Sequence, residues 1–60
     1  MEKEIVYWVS LETESSKHDR NSRFTHENII SFFDWLQQQR EVVEKETGRK
    51  AVITNCGKVI

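Results

Sequence analysis

Apolar and polar positions alternate at once: from Glu4 to Glu12, Ile5, Tyr7, Val9 and Leu11 point one way and Val6, Trp8 and Ser10 the other. A period of two, carried by β-branched and aromatic residues, predicts a strand with one face on a core. The next eleven residues, Thr13 to Arg23, hold no apolar side chain. They read as a long polar loop or polar hairpin turn, in which a short second strand at Ser22 to Thr25, pairing back on the first, is the only regular element the pattern admits.

The period then changes. From Thr25 to Thr47 the spacing predicts one amphipathic helix, with Ile29, Phe32, Phe33, Leu36 and Val43 on a single stripe and Ser31, Asp34, Gln37, Gln38, Glu41, Glu44 and Lys45 opposite. Thr25 suits the N-cap, Glu27 sets negative charge at the positive end of the dipole, and Phe24 with Ile29 would form a hydrophobic staple. Gly48 stops the helix by supplying a left-handed residue just past its end. The tail, Lys50 to Ile60, reads as strand. Asn55 and Gly57 leave a choice between a bulged strand and a tight hairpin, and the bulge is favoured because a hairpin's last arm would span only two or three residues. If the two main strands are adjacent and parallel, the crossover through the helix is right-handed.

These elements predict an α+β fold over residues 1–60 as one domain: one amphipathic helix on a two- or three-stranded sheet, in the order strand, polar loop, helix, strand. Composition agrees, with 37% hydrophobic and 32% charged residues, well away from the disordered corner. Sixty residues support one small core, and chains of this size commonly add a disulfide, a metal or a partner subunit. Cys56 is the sole cysteine, so an internal disulfide is excluded, and a lone thiol with two scattered histidines makes a poor metal site. Oligomerisation is the supplement left. The absence of a long apolar run predicts no signal peptide or membrane span, hence a cytoplasmic protein.

Net charge is −1, distributed as −3 over residues 1–14, +2 over 15–25, −3 over 26–47 and +3 over 48–60. Acidic elements alternating with basic connections serve mutual solubility better than they steer a ligand. The chemical inventory is thin. Glu12 with Glu14, and Glu41 with Glu44, lack the apolar surroundings that raise a carboxyl pKa for acid or base work. A Cys56–His26 dyad has no third, orienting group, and His18, Asp19, His26 and Cys56 show no recognised ligand spacing. With two glycines, Gly48 and Gly57, no phosphate loop can form. We therefore expect no catalytic residues, no cofactor and no metal.

What remains is surplus apolar surface. With the odd face of the first strand on the helix, Val6 and Trp8 lie on the far face of the sheet; Trp35 and Val42 sit at the edge of the helical stripe, and Ile30 projects from its polar side. These five are the candidate interface residues, and they predict a homodimeric, non-enzymatic regulator or inhibitor that binds a protein partner. The competing reading is a single-stranded RNA or DNA binder that uses Lys17, Arg20 and Arg23 of the basic loop, with Tyr7 as a stacking platform.

Overall fold

The computed structural model describes residues 4–25 and 30–59. Its elements are β1 (Ile5–Glu12), β2 (Lys17–Phe24), α1 (Phe32–Thr47) and β3 (Val52–Val59). They form an α+β fold, one helix against a three-stranded sheet of order β2-β1-β3 in which both pairings are antiparallel. β1 is thus the central strand. The condition for a right-handed crossover between the two main strands is not met, because β1 and β3 are adjacent but antiparallel. The pair that runs the same way is β2 and β3, on either side of β1, and α1 makes the crossover between them.

The polar stretch after β1 is a full strand rather than a loop. β1 and β2 pair without interruption from Ile5↔Phe24 to Glu12↔Lys17, and the expected short strand at Ser22 is only the end of it. Between them, residues 13 to 16 turn tightly. The Thr13 amide donates to the Ser16 carbonyl at 2.9 Å, and Thr13 Oγ1 accepts from the Ser16 amide at 3.1 Å. Backbone ladders do not require apolar side chains, and β2 alternates half-buried His18, Arg20, Ser22 and Phe24 with exposed Lys17, Asp19, Asn21 and Arg23. Its inward polar atoms are satisfied by the helix: Trp35 Nε1 donates to Ser22 Oγ at 3.1 Å, and Arg20 Nε donates to Gln39 Oε1 at 2.6 Å. Polar groups paired in this way cost far less to cover than unpaired ones.

The helix begins at Phe32, seven residues later than the spacing suggested, and Ser31 is its N-cap, accepting from the Asp34 amide at 3.1 Å. Phe24 belongs to β2, where its ring lies 5.0 Å from that of Tyr7; the other half of the staple, Ile29, and Glu27 lie outside the described residues. The stop is as expected: Gly48 adopts φ 69°, and its amide donates to the Glu44 carbonyl at 2.8 Å. The buried stripe runs through Trp35 and Val43, flanked by Phe32 and Leu36. Phe33, assigned to that stripe by spacing, is 68% exposed, because a helix centred on Trp35 turns it outward.

The core lies between α1 and the odd residues of β1. Ile5, Tyr7, Val9 and Leu11 are buried, with Trp35, Val43 and Ala51. Tyr7 is its aromatic centre, 5.0 Å from Phe32 and 5.6 Å from Trp35 by ring centroids, and its hydroxyl donates to the Ile30 carbonyl at 3.0 Å. β3 is one continuous strand containing a bulge. Ser10 pairs with Asn55 but Leu11 with Ile53, leaving Thr54 as the extra residue, and Thr54 Oγ1 donates to the Ser10 carbonyl at 3.2 Å. The bulge sets Ile53 and Cys56 on the inner face at a spacing of three instead of two.

Candidate interaction surface

Directly opposed residues of a sheet share a face, so the register lays out the surface opposite the helix. Its rows, reading β2-β1-β3, are Arg23, Val6, Val59; then Asn21, Trp8, Gly57; then Asp19, Ser10, Asn55; then Lys17, Glu12, Val52. Among the described residues no helix or loop covers these rows. The apolar part is concentrated toward one side: Val6 and Trp8 on the central strand are half-buried, while Val59 and Val52 on β3 are 58% and 57% exposed.

Trp8 and Gly57 form the most specific contact of this face. A Cβ on Gly57 would fall 2.7 Å from Trp8 Cζ2 and 2.8 Å from its Cε2 and Nε1. The indole therefore lies flat across the glycine, one ring face against backbone and the other toward solvent. Glycine weakens a strand because it has nothing to pack, and an aromatic residue laid over it from the neighbouring strand restores that packing. Gly57 lies within the bulged strand, as favoured over a hairpin turn, and its lack of a side chain is what lets Trp8 lie down.

The polar half of the face is largely self-paired. Ser10 Oγ donates to Asp19 Oδ1 at 2.7 Å. Lys17 Nζ stands 3.7 Å from Glu12 Oε1, and an Arg23 guanidinium nitrogen 3.9 Å from Glu4 Oε2. These are exposed pairs in high dielectric, so each contributes little to stability. They do lower the local positive potential that a phosphate would meet.

The remaining candidates are spread through the molecule. Trp35, at 3% exposure, belongs to the chain's own core, and Ile30 packs against that core as well; neither presents a surface. Val42 is half-buried on the helix. Tyr7 is 5% exposed and enclosed by Phe24, Phe32 and Trp35, so no base can stack on it. Arg20 faces the helix through Gln39, whereas Lys17 and Arg23 share the outer face with Trp8. The structure thus sets Val6, Trp8 and Arg23 in neighbouring rows and adds Gly57 and Val59 of β3, while Lys17 and Val52 lie on the same face at its other end. The signal for the valines was present in the sequence, since both fall on the solvent side once the bulge is counted, but the bulge position is not readable from side-chain types.

Cys56 is half-buried on the inner face beside Val9, and His26 lies outside the described residues. Glu44 Oε2 accepts from the Ala51 amide at 3.0 Å, a link between the helix and the start of β3. At the end of the molecule where α1 stops, Glu12, Glu14, Arg49, Lys50 and Thr54 line an open cleft of about 960 Å³, and Arg49 and Glu14 are hydrogen-bonded to each other across it. No group of three metal-ligating side chains comes together among the described residues, and no helix there is long and apolar enough to cross a membrane. No family model, curated protein or solved structure matches this chain.

Proposed function

We propose that this chain is a small non-enzymatic interaction module, homodimeric, that binds and regulates or inhibits a protein partner through the outer face of its sheet. One observation carries the reading: Val6, Trp8 and Val59 form adjoining apolar surface on the face of the sheet away from α1. A half-exposed tryptophan held flat by a glycine is a rigid platform with little side-chain entropy left to lose on binding. Tryptophan in such a setting commonly dominates the energy of an interface. A cytoplasmic site of action suits the free thiol of Cys56.

Affinity capture from the native host's lysate tests this, using wild-type and Trp8→Ala baits matched for folding by circular dichroism. A protein retained by the first and lost by the second is the expected result. Equal retention by both baits, or none by either, would sink the proposal. The nucleic-acid alternative keeps only Arg23 in a row next to an accessible aromatic ring, Trp8, with Lys17 at the far end of the same face. It requires single-stranded RNA or DNA binding that weakens as salt rises, and no binding at about 50 mM salt, where such contacts are strong, dismisses it.

A further inference from the structure

Among the described residues β2 and β3 are the two edges of the sheet, and they are unlike. Over eight residues β2 carries Lys17, Asp19, Arg20 and Arg23 as well as His18, whereas β3 carries Lys58 alone. Pairing β2 with itself would set a net positive strand against its own copy, and charged side chains are a standard means of blocking edge-to-edge association. On β3 the bulge at Thr54 disturbs only the first half. From Asn55 to Val59 the strand is regular, paired to Ser10 through Val6. The apolar surface of the outer face leans toward this same edge, with the Trp8 ring over Gly57 and Val59 beside it.

We infer that two copies of the chain join edge to edge along β3. Asn55 to Val59 pairs antiparallel with the same segment of a second copy about a two-fold axis through Gly57, making one continuous six-stranded sheet. This rests on the interaction-module reading and names the surface that holds its dimer. In this register Gly57 meets Gly57 of the second copy, Cys56 meets Lys58, and Asn55 meets Val59. Face parity is respected throughout, since residues 55, 57 and 59 lie on the outer face and 56 and 58 on the inner, and no charge meets a like charge. The axis also explains why the second copy fits better than a foreign strand. Each indole reaches over its own glycine, so two adjacent glycines seat two indoles side by side across the axis, where any larger residue opposite Gly57 would crowd them. A five-residue edge with two indoles stays below about 1,200 Å² of buried surface, the size of weak interfaces, so association in the micromolar range is expected.

Sedimentation equilibrium across that range tests the register with four proteins: wild type, Asn55→Glu, Val59→Lys and the double variant. Each single substitution falls on an exposed side chain and acts twice in the dimer, and should raise the dissociation constant about tenfold. In the double variant each introduced lysine faces an introduced glutamate of the other copy, and the constant should return toward wild type. Asn21→Glu, on the opposite edge, should change it less than about twofold. Amide exchange compared between dilute and concentrated wild-type protein should show added protection at Asn55 to Val59 and none along β2, and needs no variant to fold. A dimer indifferent to the β3 substitutions, a double variant no tighter than the singles, or protection gained on β2 would overturn the edge assignment while leaving self-association intact. A wild type that stays monomeric throughout would remove both the edge and the dimer, and the Trp8-dependent capture would then judge the module reading separately.

Discussion

The two faces of the sheet use the same central strand, residue by residue, and treat it in opposite ways. On the inner face Ile5, Tyr7, Val9 and Leu11 are each buried, and Tyr7 Oη, Trp35 Nε1 and Arg20 Nε each have a partner, while Arg40 Nε of α1 is buried without one. On the outer face Val6 and Trp8 stay half-buried beside exposed Val59, and the polar groups pair only with their immediate neighbours across strands. One side is a finished core. The other leaves apolar side chains beside solvent, and it is the surface on which the proposed partner would dock. Stability should therefore reside in the odd positions of β1 and binding in the even ones.

The largest effect that could break this comparison comes from Leu11→Ala. Leu11 is fully buried, and a leucine truncated to alanine in a packed core costs about 2 to 5 kcal/mol, a large share of what so small a domain has to lose. Urea unfolding followed by tryptophan fluorescence should show a collapse of the midpoint or an unfolded chain. A loss under about 1 kcal/mol, the scale of surface changes, would mean that the core is looser than its burial implies.

Gly57→Ala is the next in size and acts from the outer face. The added methyl meets the Trp8 ring well inside van der Waals contact, so the indole must lift, at a cost of about 1 to 3 kcal/mol typical of overpacking. The diagnostic readout is the indole itself: its emission should shift to the red as it leaves the backbone for water. Unchanged emission together with unchanged stability would show that Trp8 is not held by the glycine.

Tyr7→Phe removes one buried hydroxyl and leaves the Ile30 carbonyl without its donor, which should cost about 1 to 2 kcal/mol. Chemical denaturation of this variant compared with Phe32→Leu would separate the hydrogen bond from the ring contacts. The smallest change expected is Val59→Ala. On an exposed edge position it should fall within about 0.5 kcal/mol of wild type while still weakening self-association, and this separation of stability from binding is the sharpest form of the contrast between the faces. A Val59→Ala chain as destabilised as Leu11→Ala would erase it.

Much of this was legible in advance. The alternation of β1 identified its inner face, Gly48 marked the end of the helix, and the odd-facing residues named the core. The outer position of Val6 and Trp8 followed from the same alternation. The start of the helix is not where Thr25 suggests, because Ser31 also caps well and β2 takes Phe24 for its own ladder. β2 itself was missed because an apolar pattern was the signal sought. A strand lying beside an already apolar neighbour, with hydrogen-bond partners waiting on the helix, does not need to show one.

The sequence by itself determined the period of each segment, and with it which side chains of β1 must leave water, whereas on α1 spacing gave Leu36 and Val43 to the core side but neither the outward turn of Phe33 nor the burial of Trp35. Tertiary structure decided what spacing does not encode: that a polar stretch becomes an edge strand, that a bulge at Thr54 resets the faces of β3, and that Trp8 finds Gly57 across all of β2 and α1. Those outcomes depend on backbone hydrogen bonds and on contacts between residues far apart in the chain. Neither leaves a local signature, since every residue carries the same backbone donor and acceptor and a contact belongs to two positions at once.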